Sequence, residues 1–483
     1  VKSRKVYRFV GYGPETNLGV HDSCVDNLER GIFERIFTVK GKAPLQTTGA
    51  IVKERLGTFT RRVKHLLPHS NPLSIQAFLE TYDTARLRNR YSAASVQYLS
   101  RGVDRLNARV KSFVKAEKIN FTEKEDPAPR IINPREYVYN LAVGIYIKAI
   151  EKEVYKAIAR VFREVTVAKG LNALECGRLV EKKWSKYSDP VAVGLDASRF
   201  DQHCRVPILR WEHGVYLSAF RGEHHQELSK LLSYQLRNGG RSFTADGNVA
   251  WEVDGCRMSG DMNTGLGNCL IMCALVWTYA RSVGVKCSLL NNGDDCVVIL
   301  ERTDLTRFTT ELQTWFAEMG YEMKVEDPVD EIEKIVFCQT QPVWTPQGYT
   351  MVRQYGVSFA KDLTSLKDIT TQGGFDKYRN LVSQCGLAAY RNIPVHSAFY
   401  ESLGRGTNEI PNESIDGGLR WLASRMDSPV GVADGTRFSY WRAFGVDPSQ
   451  QLAIESWLDG MNPAFHKPVL QEDWSYSEAW GLG

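Results

Sequence analysis

A chain of 483 residues with 43% hydrophobic, 11% aromatic and 24% charged residues has a globular composition, which excludes a disordered or collagen-like polymer. Its length exceeds one compact core and suggests roughly three subdomains at about 150 residues each. The formal net charge of +5 hides an asymmetry: residues 1–130 carry 24 Lys and Arg against 13 Asp and Glu, whereas 409–483 carry 5 against 11. The basic front suits a polyanionic partner, or is simply a solvated basic face.

The ten cysteines include no CxxC pair, as expected of a reducing compartment. Cys269 and Cys273 are one helical turn apart and His224 and His225 are adjacent, but they complete no zinc set. The longest apolar run, Cys269 to Val276, falls short of the ~20 residues of a membrane span, so no transmembrane segment is expected. The chain starts at Val1 rather than methionine. It is therefore expected to be the later portion of a longer product, any membrane anchor lying upstream.

In chain order, VGYGPE (Val10 to Glu15) reads as a loop, and RRVKHLL (Arg61 to Leu67) and ARLRNRY (Ala85 to Tyr91) are the densest basic clusters. Ser112 to Glu136 carries Lys115, Lys118, Lys124, Arg130 and Arg135. A strand at Ser112 to Val114, a polar stretch broken by Pro127 and Pro129, and a return strand at Arg130 to Ile132 predict an extended hairpin. Its cations suit a triphosphate, Lys as a point charge and Arg as a fork. Equally, Glu117, Glu123, Glu125 and Asp126 balance them in a solvated loop.

Tyr137 to Trp184 has helical spacing. In VAVGLDASRFDQHC the alternation of Val191, Val193 and Leu195 predicts a strand closed by Asp196, with Asp201 five residues later. An aspartate there is a metal position or a cap. Arg205 to Trp251 reads as a helix-rich insert ending in turns at Gly239, Gly240 and Gly247. Ser259, Gly260, Asp261 and Asn263 are turn and cap residues before a long buried helix from Thr264. Gly265 and Gly267 cost that helix about 1 kcal/mol each relative to Ala. Something must approach closely: a template backbone, another strand, or the sheet it packs on.

LLNNGDDCVVIL (Leu289 to Leu300) predicts a hairpin with Asp294 and Asp295 at its tip. Asn, Gly and Asp are ordinary turn residues, but two adjacent carboxylates in a buried hairpin repel unless a divalent cation is shared. Leu305 to Met319 follows as an amphipathic helix and Gly320 to Glu326 as a strand bearing Lys324. Ile335 to Thr340 and Tyr349 to Arg353 predict a second hairpin, and the stretch from Ser365 is mainly helical with an acidic end.

The order of these features carries more than any one of them. Lys115-Ala-Glu117 with Arg130-Ile-Ile, Asp196-x4-Asp201, Ser259-Gly260-x3-Thr264-x3-Asn268, Gly293-Asp294-Asp295, Lys324 and Phe337-Cys338-Gln339 resemble motifs F, A, B, C, D and E of viral RNA-dependent RNA polymerases. The wording VKAEK…DPAPRIINPR, SGDMNTGLGN and FCQ resembles the Tombusviridae, positive-strand RNA viruses of plants.

The resemblance implies an α+β right-hand fold of fingers, palm and thumb, with an antiparallel palm sheet flanked by helices. On that basis residues 1–110 would be a basic extension and fingers, 111–189 fingers with motif F, 190–205 palm motif A, 206–250 a fingers insert, 251–345 palm motifs B to E, and 346–483 the end of the motif E hairpin and a helical thumb. It implies replication of a viral RNA genome by two-metal nucleotidyl transfer, without a protein primer, using two Mg²⁺ (or Mn²⁺) ions. Asp196, Asp294 and Asp295 would hold metal, Asp295 as the accessory ligand. Asp201 and Asn268 would read the ribose 2′-hydroxyl, with Ser259 and Thr264 in the loop that positions them. Lys115, Lys118 and Arg130 would hold the triphosphate, and Lys324 would protonate pyrophosphate. Implied partners are RNA template and nascent RNA, ribonucleoside triphosphates, a viral auxiliary replication protein and host factors. The implied setting is the host cytoplasm, in a membrane-associated replication complex held through regions or partners outside this chain. A reverse transcriptase-like palm polymerase and a catalytically inactive RNA-binding replication subunit are the competing readings.

Overall fold

The computed structural model describes residues 3–9, 12, 18–407, 419, 422–423, 425–461 and 469–471. The VGYGPE loop and the acidic stretches at 409–418 and 472–483 lie outside the described residues, Tyr12 excepted. The architecture is α+β: helices surround several small antiparallel sheets.

The central sheet has four strands in the order Glu322–Val325, Pro190–Ser198, Asp295–Glu301, Cys287–Asn292, all antiparallel. Because strand side chains alternate between faces, Val191, Val193, Leu195 and Ala197 point into one apolar cluster and Ala192 into another. The first cluster contains the helices Gly49–Leu66, Tyr137–Phe162 and Thr264–Ser282. The second holds Phe337, Val343 and the helices Gln372–Tyr390 and His396–Gly404. A sheet covered on both faces needs the nearly continuous Val, Ile and Leu content of its middle strands. Their polar ends are thereby left as the place where charge can reach solvent.

The expected hairpin around the first cation cluster forms, with Phe113–Val114 paired to Ile131–Ile132. Four expectations change. Gly239 and Gly240 belong to a strand, Arg237–Phe243, paired with Asn248–Asp254, and only Gly247 lies in the connecting turn. Neither glycine has a Cβ to clash with Val110 O or Trp251 O, and that close approach overrides their turn preference. The helix expected over Leu305 to Met319 is broken into Leu305–Thr309 and Leu312–Glu318. There the Thr309 and Thr310 hydroxyls donate to the carbonyls of Leu305 and Thr306 (3.0 and 2.6 Å), a back-bonding that bends helices. The second hairpin pairs Thr340–Val343 with Thr350–Arg353, because Cys338 and Gln339 take left-handed φ values of 50° and 61° and leave the strand path. Near the chain end, Val469–Gln471 is a strand beside Val6–Arg8, in a region read as helical.

Candidate active site

One row of the central sheet gathers the charge. Lys324 lies opposite Asp196, Asp196 opposite Asp295, and Asp295 opposite Asn292. Directly paired residues in neighbouring strands share a face, so an ammonium and two carboxylates stand side by side on the sheet. Asp196 sits within the strand rather than at its close, since pairing continues to Ser198. Asp294 occupies the turn beyond Asn292, where Gly293 adopts φ +75°. That turn is braced from within: Asn291 Nδ2 donates to Gly293 O (2.6 Å) and the Gly293 N–H to Cys269 Sγ (3.2 Å).

Asp294 is open to solvent on one side and enclosed on the other. Its carboxyl is pushed above the usual range by burial and by Asp196, against the pull of Arg130 and Lys169. Asp295 is pushed up to about 6, foremost by burial and further by Asp294 and Glu326, while the Cys338 N–H donates to Oδ2 at 2.9 Å and opposes the shift. The left-handed turn at Cys338 and Gln339 thus presents a backbone donor to this carboxylate. Carboxylates that resist ionising next to one another are groups a cation would stabilise.

The second cluster is built on Asn268, one turn into the helix Thr264–Ser282. Its Nδ2 donates to Asp201 Oδ1 (2.9 Å), and Arg257 Nε donates to its Oδ1 (3.0 Å). Arg257 is in turn paired with Glu212, Nη1 to Oε2 at 3.1 Å, both side chains fully buried. Burial raises the Asp201 carboxyl, offset by Asn268 and Arg257. Thr264 donates its hydroxyl to Met258 O (2.6 Å), and Ser259 Oγ accepts from Asn133 N (3.2 Å). Both therefore stitch the loop before the helix to its surroundings. The same loop is anchored by a buried ion pair, Arg135 Nε to Asp261 Oδ1 at 2.5 Å.

Lys115 and Arg130 converge through one carboxylate, each 3.1 Å from Glu117 Oε2. Lys118 parts from them: its ammonium donates to Lys361 O (2.6 Å) and approaches the Tyr378 hydroxyl (3.4 Å). It was expected beside the other two cations; the structure turns it toward the C-terminal helices instead, because the strand Ile119–Asn120 that follows pairs with Leu18–Gly19.

A family model described as viral RNA-dependent RNA polymerase matches residues 1–465. The chain belongs to this family. Relatives named RNA-directed RNA polymerase include those of tobacco necrosis virus strain A (39% identical over 472 residues, 95% of this chain and 64% of the relative), turnip crinkle virus (36% over 498, 99% and 63%) and cucumber necrosis virus (38% over 467, 95% and 56%). The chain spans less than two thirds of the length of each of these polymerases.

Several groups at this polymerase-family site escaped the sequence reading. Lys169 reaches Asp294 electrostatically because segment 166–168 bridges to Asn291 beside the turn. Gly265 leaves the space that its ammonium occupies. Glu326 lies over Gly194, where any Cβ would collide with its carboxylate. Glu212 and Arg257 fill the space left by Gly267. The costly glycines of the helix were the available signal, but nothing local said that charged side chains, rather than RNA or a strand, came close.

Proposed function

We propose that this chain is the polymerase part of an RNA-directed RNA polymerase that replicates a positive-strand plant virus genome from ribonucleoside triphosphates. The observation that carries the reading is the row Lys324, Asp196, Asp295 with Asp294 at its end, in a chain whose family is that of viral RNA polymerases. The sheet with helices on both faces is taken as the palm, residues 111–189 and 206–250 as fingers, and 346–483 as thumb.

Among the described residues, no three His, Cys, Asp or Glu side chains form a complete metal cage. The donor set still fits Mg²⁺ or Mn²⁺, which take hard oxygen ligands and commonly bind through one or two carboxylates plus substrate phosphates. Asp196 and Asp294 are the proposed principal ligands and Asp295 the accessory one. Two such ions, when bound, would activate the attacking 3′-oxygen and offset charge on the leaving pyrophosphate. Lys115 and Arg130 bind the triphosphate, exchanging Glu117 for phosphate oxygens. Asp201, held by Asn268, accepts from the ribose 2′-hydroxyl, and Lys324 supplies a proton to pyrophosphate. Initiation without a protein primer, an auxiliary viral protein, host factors and a membrane-associated setting in the host cytoplasm complete the proposal. No described helix is long and apolar enough to cross a membrane.

The test is nucleotide incorporation on an RNA template with ribonucleotides and Mg²⁺ or Mn²⁺. Incorporation that persists in Asp196→Ala or Asp294→Ala would refute the assignment. Deoxynucleotides used as well as ribonucleotides would favour a reverse transcriptase, and no incorporation at all an RNA-binding subunit.

A further inference from the structure

A basic recess is lined by none of the residues of the candidate active site. The hairpin Arg237–Phe243 with Asn248–Asp254 packs its glycines directly on the backbone of segment 108–111, Val110 N donating to Gly239 O at 3.0 Å. Beside this contact, where neither glycine supplies a side chain, opens a recess of about 380 Å³. That is near the small end of the range for ligand sites, enough for about one nucleotide.

Its walls carry Arg105, Arg109, Arg237 and Arg241 against one carboxylate, Glu252. Arg237 is held by Glu252 (Nε to Oε1, 2.7 Å), and Arg241 Nε donates to Asn248 Oδ1 (2.8 Å). Arg105 and Arg109 are exposed, and their guanidinium groups make no ion pair or hydrogen bond among the described residues, although Arg105 lies near enough to Glu252 to act on it electrostatically. Tyr234, half-buried, supplies flat apolar surface, whereas the Trp251 side chain lies on the other face of the hairpin, packed edge-on to Phe37, and only its residue's backbone side borders the recess. Exposed guanidinium forks beside an aromatic face are what single-stranded RNA engages through phosphate and base. An acidic peptide would use the forks alone.

The recess is also wired to the candidate active site. Asn238, in the same hairpin strand, accepts from Arg135 Nη2 (2.6 Å), and Arg135 also donates to Ala108 O (2.6 Å) and to Asp261 in the loop before the Asn268 helix. One buried arginine therefore fixes the recess relative to the proposed ribose-reading loop.

We propose that this recess binds a nucleotide of single-stranded RNA outside the candidate active site, as an exosite that holds the template; RNA as the ligand rests on the polymerase reading. The test measures binding of a fluorescein-labelled, 4-thiouridine-containing single-stranded RNA to the full chain, with cross-linked peptides mapped by mass spectrometry. Arg105→Ala/Arg109→Ala should weaken binding about 10-fold and lower the slope of log Kd against log salt by about 1.4, two contacts at ~0.7 each. Cross-links to peptides containing Tyr234 should disappear. If the double variant melts early, Arg109→Gln serves instead, with about 3-fold weaker binding expected. The control Arg61→Ala/Lys64→Ala removes the same charge from an exposed helix face. Equal loss in that control, an unchanged slope in the double variant, cross-links confined to other peptides, or competition by polyglutamate as strong as by unlabelled RNA would each overturn the exosite. Asp294→Asn separates the two hypotheses: it should lose incorporation yet keep this binding and its cross-links. Incorporation retained in that variant would sink the metal assignment alone.

Discussion

Asn268 donates its side-chain amide to Asp201 at 2.9 Å across 67 residues of sequence. Arg257 fixes the other end of that amide, so its orientation is determined from both sides. Removing Asn268 frees the Asp201 carboxylate from the position that the proposed 2′-hydroxyl contact requires. Asn268→Ala is expected to narrow the preference for ribo- over deoxynucleotides by at least about 10-fold, because a site built around a hydroxyl discriminates through that contact. Single-nucleotide incorporation with matched ribo- and deoxynucleotides measures it. An unchanged ratio would remove Asn268 from ribose reading.

The two glycines of the same helix should respond in opposite ways. A Cβ at Gly267 would lie 2.5 Å from Glu212 Oε2 and closer still to Arg257, so Gly267→Ala must displace a fully buried ion pair. Disrupting such a pair costs about 3–5 kcal/mol, far above the ~1 kcal/mol gained in helix propensity. At Gly265 the obstacle is the end of Lys169, an exposed and flexible side chain. Gly265→Ala is therefore expected to be neutral or to stabilise by up to about 1 kcal/mol. Urea denaturation of both variants decides; equal destabilisation would contradict the packing described.

Lys324 faces Asp196 from the edge strand and is exposed. As the proposed proton donor to the leaving group it would act only once bonds are breaking. Lys324→Ala should lower kcat by about 100-fold with little change in KM, within the range general acids contribute. A raised KM with kcat intact would make it a binding group instead.

His396 is buried among the C-terminal helices, with Nε2 2.8 Å from Arg353 O and Nδ1 3.2 Å from the Tyr440 hydroxyl. Burial drives its pKa down to about 4, against the Arg353 carbonyl that favours the charged form. A depressed histidine contributes stability that is complete above its unfolded value near 6.5 and is lost as pH falls through about 4. His396→Gln should be less stable than the parent at pH 7.5 by about 1–2 kcal/mol. As the pH falls from about 6.5 to about 4 the parent should lose up to about 3 kcal/mol relative to the variant, so that the gap closes and then reverses. Denaturation midpoints at several pH values test this; a constant gap would mean that His396 is not held neutral.

Much of the site was legible because its parts are local. Asp196 follows an alternating apolar strand, Asp294 and Asp295 follow an Asn-Gly turn, and Asn268 sits a fixed four residues beyond Thr264. Lys118 was less legible. Its spacing from Lys115 puts it in the same cation cluster, and only the pairing of the next strand with Leu18–Gly19 turns it toward Lys361. Lys169 and Glu326 carried no local mark, since nothing in VAKG or KVED says which charge will face them.

The sequence by itself determined which residues are apolar at period 2 or 3.6, where the turns fall, and hence the order of elements and the identity of the acidic and basic candidates. Tertiary structure alone decided that Lys324, Asp196 and Asp295 stand in one register, and that Asn268 is clamped between Asp201 and Arg257. It also decided that Gly265 and Gly267 make room for charged side chains rather than for RNA or a strand. The reason is physical. Periodicity follows from backbone geometry within a few residues, whereas cross-strand register and the pairing of buried charge are set by segments tens to a hundred residues apart, through the burial of both faces of one sheet.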